Sequence, residues 1–303
     1  MKTNANILVG LDLSEMDTFL LEFISEISNL FSIHKASFIH VIPEGEIPDE
    51  IEQLFPDLDE PLEKVVENDI SSSLEESFKP SGEIKHEIII KRGDRSDTIV
   101  GFSRKNNIDL IILGLKQELS GTGVAIDRVA AFAGCSTLFV PEYSRTSFKQ
   151  LLAIINFNKI SQQLLEDARD IARLSGGEVQ ALHVYGLPVN YFPGSPTDKL
   201  RKKMGEECRK KFDKIIRKID GDSMTLNCEF LLDDQNDKAS VISKYIRKIN
   251  IDLLILGLKD RSDSSFFYIH TITEKLRNQR LNLPLWIVKE RKPRQFFGMN
   301  FNL

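Results

Sequence analysis

An internal repeat constrains this chain of 303 residues more than any other feature. The segment RKNNIDLIILGLK at 104–116 recurs as RKINIDLLILGLK at 247–259, a shift of 143 positions with eleven of thirteen residues identical. The same shift relates His40 to His183. Because a repeat fixes the domain organisation before other arguments apply, we predict two copies of one domain at 1–146 and 147–290. A basic and aromatic tail at 291–303 follows them.

Each copy alternates short apolar runs with segments of helical period. In the first copy the runs predict strands at 6–12, 36–42, 84–91, 108–114 and 136–141. Apolar residues spaced three and four apart between Met16 and Phe31 predict a helix, and further helices are expected near 60–78, 95–107 and 123–134. Continuous apolar strands are typical of parallel sheets buried on both faces. The pattern predicts an α/β fold with two tandem doubly wound parallel sheets, Rossmann-like in class.

The composition excludes several classes of protein. Forty-five acidic and forty basic residues give a net charge of −5, which argues against a nucleic-acid binder, because such proteins need a large basic surface. No apolar run approaches the length of a membrane span. Three widely spaced cysteines form neither a disulfide framework nor a paired-cysteine metal motif. We expect a cytoplasmic protein.

The order of these segments resembles the universal stress protein family, specifically its tandem two-domain members. The opening ILVGLDLSEMD is similar to the family's first strand, in which serine follows an aspartate by two residues, and HVIPE is similar to its second strand end. IDLIILGLK followed by GCSTLFVP resembles its last strand-helix-strand unit. The resemblance implies an adenine-nucleotide-hydrolase-like fold and a role in stress survival.

ATP-binding members of that family carry a loop of the form G-x2-G-x9-G-[ST] after the fourth strand. Glycines there let the backbone approach phosphate, and the following helix start favours anions. The first copy departs from this pattern, because Gln117 replaces the second glycine and Val124 the hydroxyl residue. The shorter SGTG at 120–123 is the remaining candidate for an anion-binding turn.

By this resemblance ATP or AMP is the candidate ligand of the first copy. The candidate binding residues share positions at strand ends or in the following loop: Asp12, Val41, Gly114, Lys116, Gly121, Thr122 and Gly123. Three have structural alternatives. The carboxylate of Asp12 also suits a turn or helix cap, Gly114 is also suited to a turn, and Lys116 is also suited to a solvated loop.

The second copy is expected not to bind nucleotide. Asn156 stands in the place of Asp12, and Asp260 and Asp263 in its loop would repel phosphate. We interpret His40 and His183 as hydrogen-bonded structural residues, since neither has a metal-ligand partner nearby in sequence. No catalytic motif is visible, so we expect a protein that is not an enzyme, with slow nucleotide hydrolysis as a weaker alternative.

The segments after the second strand differ in charge between the copies. Residues 44–79 contain thirteen acids and two bases, a net charge of −11, whereas residues 187–222 contain ten bases and six acids, a net charge of +4. They suit either partner recognition or simple solvation. The tail, with Phe296, Phe297, Met299 and Phe301, suits docking on another subunit or protein, or fraying.

Two functional hypotheses follow. The first is a regulatory protein that senses adenine nucleotide through its first domain. The alternative is a nucleotide-independent interaction or scaffold protein that uses the charged segments and the tail. In either case we expect the two copies to pack as an intramolecular pseudo-dimer along their last strands, because each sheet would otherwise leave an exposed edge. A homo-oligomer or a protein partner fits both hypotheses, and no metal, nucleic acid or membrane is expected.

Overall fold

The computed structural model describes most of both repeats. The described residues are 5–44, 61–116, 122–187, 197–219, 226–235, 237–258, 270–272, 274–275 and 282–290. Side chains are described from residue 127 in the helix that starts at 122, and from residue 198 in the helix that starts at 197. Gly121 and the predicted tail lie outside the described residues, as do Asp260 and Asp263.

The first domain alternates strands and helices as its apolar pattern predicts. Its elements are β1 (Ala5–Leu11), α1 (Glu15–Phe31), β2 (Ile33–Ile42), α2 (Leu62–Ser77), β3 (Lys85–Arg92), α3 (Arg95–Lys105), β4 (Leu110–Leu115), α4 (Thr122–Phe132) and β5 (Ser136–Pro141). Each of the five predicted strands is confirmed, with ends that differ by up to three residues. Strand β2 begins three residues before its predicted start, because His34 and Lys35 interrupt the apolar run there.

The second domain repeats the same order. Its elements are β6 (Gln150–Ile154), α5 (Lys159–Ser175), β7 (Glu178–Gly186), α6 (Thr197–Ile216), β8 (Asn227–Asp233), α7 (Lys238–Ile246), β9 (Leu253–Leu258) and β10 (Leu285–Lys289). Residues 270–272, 274 and 275 are also helical. No helix in the described ranges is long and apolar enough to cross a bilayer.

All ten described strands form one continuous sheet in the order β3-β2-β1-β4-β5-β10-β9-β6-β7-β8. Within each half the neighbouring strands are parallel. Helices α1, α2, α5 and α6 contribute to the apolar layer on one face, and α3, α4 and α7 to the layer on the other. The predicted doubly wound α/β class is therefore confirmed, and both faces of the central strands are buried, as their apolar runs predict.

The two halves join through the antiparallel pair of β5 and β10. The paired residues are Thr137 with Ile287, Leu138 with Trp286 and Phe139 with Leu285. Thr137 and Leu285 are equivalent by register, because they pair with Ile111 and Leu254, which the 143-residue shift relates. The pairing is therefore symmetric about the Leu138–Trp286 pair. A pseudo-twofold axis passes through that pair, which confirms the predicted pseudo-dimer of last strands.

A second contact between the domains involves Asp127 of α4 and His270. His270 Nδ1 lies 2.6 Å from Asp127 Oδ2, so a carboxylate of the first domain faces an imidazole of the second. The Asp127 side chain is 1% exposed and that of His270 33%, so the acid of this pair is buried between the domains.

Trp286 anchors the junction, and its removal should destabilise the whole chain. Its side chain is 4% exposed, and its ring meets that of Phe31 edge-on with centroids 5.7 Å apart. We expect Trp286→Ala to lower the free energy of unfolding by about 3–5 kcal/mol, because a large buried ring leaves a cavity. Guanidinium unfolding measures this.

Leu174→Ala is the matched control, since Leu174 is 57% exposed on α5. This change should cost no more than about 0.5 kcal/mol. An equal loss in the two variants would contradict the anchoring role of Trp286.

Candidate functional site

The candidate site of the first domain lies at the carboxyl ends of β1 and β4. These strands are neighbours in the sheet, while α1 after β1 and α4 after β4 pack on opposite faces. Such a reversal of strand connections opens a crevice where ligands commonly bind in α/β sheets. Asp12 follows β1 and Lys116 follows β4, so both predicted residues border this crevice.

An ion pair joins Asp12 to Lys116 across the crevice. Lys116 Nζ lies 2.6 Å from Asp12 Oδ2, with side-chain exposures of 19% and 40%. Lys116 is thus not the solvated loop lysine that was the alternative interpretation. The structure brings together these two predicted site residues, one anionic and one cationic, although more than a hundred positions separate them in the sequence.

Asp12 also contributes to the turn that starts α1. Ser14 Oγ donates a hydrogen bond of 2.5 Å to Asp12 Oδ1, and the same hydroxyl accepts from the backbone N–H of Met16 as the N-cap of the helix. A side-chain oxygen at this position satisfies an N–H group that the helix leaves unpaired. The aspartate-serine pair of the opening segment therefore has a structural role in addition to any role in binding.

A second carboxylate, Asp17, lies beneath this turn and was not predicted. It accepts hydrogen bonds from the backbone N–H groups of Asp12, at 3.0 and 3.2 Å, and Leu13, at 2.8 Å. Its side chain is buried, and burial raises the pKa of its carboxyl to about 6, although the Asp12 N–H group opposes that shift. The negative charge of Asp12 raises this pKa further.

Gly114 is needed for the packing of β4 against α1. A Cβ atom on Gly114 would lie 2.6 Å from Met16 Cγ, closer than nonbonded carbons approach. Gly257 of the second domain behaves in the same way, since its Cβ would lie 2.8 Å from Ile160 Cγ2. Both glycines therefore have a packing explanation that requires no phosphate.

Val41 and His40 lie at the end of β2 but make different contacts. Val41 is buried with the α3 and α4 layer, 4% exposed. His40 Nδ1 lies 3.0 Å from the carbonyl oxygen of Leu11, and His183 Nδ1 lies 2.8 Å from that of Ile155. The predicted structural role of both histidines is confirmed, because each joins the ends of two adjacent strands.

The loop residues are only partly described. Thr122 and Gly123 are the first residues of α4, so the predicted anion-binding turn would lead directly into a helix start. Gly121 precedes them outside the described residues. In the second domain Asn156 takes the place of Asp12 and therefore offers no carboxylate. Within the described ranges no group of three or more metal-ligating side chains is present.

The model of the universal stress protein family matches residues 3–141 and again residues 147–289. The chain belongs to the universal stress protein family. Two matches in one chain make it a tandem member, as the repeat predicts. A comparison with curated proteins gives no match.

Solved structures show the same fold. A universal stress protein from Archaeoglobus fulgidus is 17% identical with a TM-score of 0.62, covering 94% of this chain and 96% of its own. A Pseudomonas aeruginosa protein described as functionally unknown is 14% identical with a TM-score of 0.63, covering 94% of this chain and 92% of its own. At these identities the similarity extends to the fold of both domains together.

Substitution of Gly114 tests its packing role. We expect Gly114→Ala to lower the free energy of unfolding by about 1–3 kcal/mol, because Met16 must shift to accept the methyl group. Gly257→Ala should cost a similar amount in the domain that is not expected to bind nucleotide. Gly101→Ala is the control: it is helical with nothing within 4 Å of its Cβ position, and it should stabilise by about 0.5–1 kcal/mol. If Gly114→Ala and Gly257→Ala both leave the free energy of unfolding unchanged, the packing explanation is wrong.

Asp17 should make stability fall with rising pH. Its folded pKa, about 6, exceeds the ordinary aspartate value of 3.8, so folding favours the protonated carboxyl. The free energy of unfolding should therefore decline between about pH 4 and pH 6 and then level off. Relative to Asp17→Asn, which cannot titrate, the wild type should lose at most about 3 kcal/mol over this range. Denaturant unfolding at several pH values measures the difference, and a pH-independent difference would contradict the raised pKa.

Proposed function

We propose that this universal stress protein is a regulatory binding protein, and not an enzyme, whose first domain holds an adenine nucleotide. The observation that supports the proposal most is the ion pair between Asp12 and Lys116, 2.6 Å apart at the crevice between β1 and β4. An anionic and a cationic side chain at a topological switch point match the two chemistries of a nucleotide, hydroxyl groups and phosphate.

Each partner of the ion pair would accept a part of the ligand. The Asp12 carboxylate accepts hydrogen bonds from ribose hydroxyls, and the Lys116 ammonium pairs with a phosphate oxygen. Backbone N–H groups at the start of α4, near Thr122 and Gly123, add an electrostatic preference for phosphate. In the empty state the ion pair neutralises both side chains. Binding would then exchange this internal ion pair for two contacts with the ligand.

The two domains would differ in this function. Asn156 replaces the carboxylate of Asp12, and the loop after β9 carries Asp260 and Asp263, whose charges oppose phosphate. The proposal is therefore one nucleotide site per chain, with the second domain serving another purpose.

Isothermal titration of ATP and AMP tests the proposal. We expect Asp12→Asn to weaken nucleotide binding by about tenfold or more, since it removes a charged hydrogen-bond acceptor. Asp97→Asn is the matched control, because Asp97 is an exposed acid of α3, 76% exposed, and it should leave affinity unchanged. The stoichiometry should be one nucleotide per chain.

Absence of heat with millimolar nucleotide would overturn the proposal. The alternative would then be a nucleotide-independent interaction protein that acts through the charged segments and the tail at 291–303. Equal weakening by Asp12→Asn and Asp97→Asn would also count against a site at Asp12.

A further inference from the structure

A cleft in the second domain lies apart from the predicted nucleotide crevice. It has a volume of about 430 Å³ and is lined by Asn156, Phe157, His183, Lys211, Lys214 and Ile215. Clefts that hold small molecules commonly have volumes of about 300–1,000 Å³, so this one is large enough for a compact ligand. It is formed by the ends of β6 and β7 and by the last turns of α6.

The cleft and the nucleotide crevice are bounded by different elements. The cleft lies beside α6, and its Phe157 and Ile215 pack against the apolar layer that contains α5 and α6. The crevice at Asp12 lies instead at the ends of β1 and β4, beside α1 and α4. Although Asn156 borders the cleft, the cleft is therefore not a copy of that crevice.

Aromatic rings form the apolar part of the cleft. The Phe157 ring lies against that of His183, with centroids 4.2 Å apart and planes inclined by 45°. Phe157 has a positive φ of 54°, and its equivalent Leu13 has one of 59°. Both domains therefore share the left-handed backbone conformation at this position. They differ in the side chain, which is aromatic only in the second domain.

His183 supplies a neutral surface to the cleft. Burial holds the pKa of this histidine below its ordinary value, and the positive charges of Lys238 and Lys211 act in the same direction. Its Nδ1 bonds to the carbonyl oxygen of Ile155, so Nδ1 carries the proton and Nε2 keeps its lone pair. The charge of the cleft therefore comes from its lysines.

Two lysines give the cleft a positive charge that no carboxylate in the described part of the chain neutralises by an ion pair. Lys211 Nζ lies 6.0 Å from the centre of the Phe157 ring, and Lys214 lies one helical turn further along. Glu207, one turn before Lys211, pairs instead with Lys210 at 2.7 Å. Both cleft lysines are exposed, which leaves their ammonium groups accessible to a ligand.

The described residues at the equivalent positions of the first domain differ. Helix α2, the counterpart of α6, contains five acids and one base, whereas α6 contains eight bases and four acids. Leu13, aliphatic and 43% exposed, takes the place of Phe157. The opposite charge of the two segments after the second strands therefore coincides with a difference in the clefts beside them.

We propose that this cleft binds a small organic anion with a planar apolar ring, the ring packing on Phe157 and the anionic group lying between Lys211 and Lys214. An aromatic surface beside ammonium groups recognises both parts of such a molecule, and neither a bare ion nor a neutral ring would satisfy both. The site is independent of the nucleotide proposed for the first domain.

Titration calorimetry with naphthalenesulfonate, a planar organic anion, tests the site. We expect Lys211→Gln to weaken its binding by about tenfold, as loss of a charged hydrogen bond does. Lys202→Gln is the matched control, because it removes the same charge from an exposed side chain of the same helix that lies outside the cleft lining. It should change affinity by less than about twofold. Phe157→Leu should weaken binding by about fivefold through loss of the aromatic surface.

Three further measurements decide the outcome. Asp12→Asn should leave naphthalenesulfonate binding intact, so that failure of one site is distinguishable from failure of the other. Neutral naphthol and inorganic phosphate should each bind more weakly than naphthalenesulfonate. The proposal is overturned if naphthalenesulfonate does not bind at millimolar concentration, if Lys202→Gln and Lys211→Gln weaken its binding equally, or if naphthol or phosphate alone binds as tightly.

Discussion

The antiparallel pairing of β5 with β10 is the interaction on which the architecture of the whole chain depends. Each half ends its sheet at the last strand, and an unpaired edge exposes a row of backbone donors and acceptors. Joining the two edges satisfies those groups and creates one sheet of ten described strands. The same junction buries Trp286 against Phe31, so backbone pairing and aromatic packing reinforce each other. Both candidate sites lie away from it, which leaves their residues free to diverge without weakening the core.

The two domains show how one scaffold separates packing requirements from binding requirements. Gly114 and Gly257 occupy equivalent positions, and a Cβ atom on either would lie less than 3 Å from a side chain of the first helix of its own domain. The glycine is therefore retained in a domain whose loop has lost the rest of the phosphate pattern. Asp12 and Asn156, in contrast, are equivalent but differ in charge. When packing requires a residue of the family pattern, its presence says little about ligand binding. When packing does not require it, its presence or loss is informative about the ligand.

Much of the fold follows from the sequence, but the sites follow only in part. Strong apolar runs such as IDLIILGL predict buried strands, and the repeat predicts two domains, because both signals are local or periodic. The ion pair of Asp12 with Lys116 could be expected only as proximity at a sheet edge, since its geometry depends on side-chain packing. The cleft was missed because Phe157 and Lys211 are more than fifty positions apart. Its one sequence signal was the excess of bases in α6, which also fits a solvated helix face.

The contact between Asp127 and His270 shows what covalent fusion permits. In a symmetric dimer of identical chains, every contact beside the twofold axis is made twice with the same pair of side chains. Duplication within one chain removes that constraint, because each half can then change alone. The segment between β4 and β5 of the first domain, residues 117–135, holds no histidine, so a dimer of first domains alone would lack the imidazole that faces the buried carboxylate. Each domain has therefore become specific for its covalent partner, and two identical halves could no longer reproduce this contact.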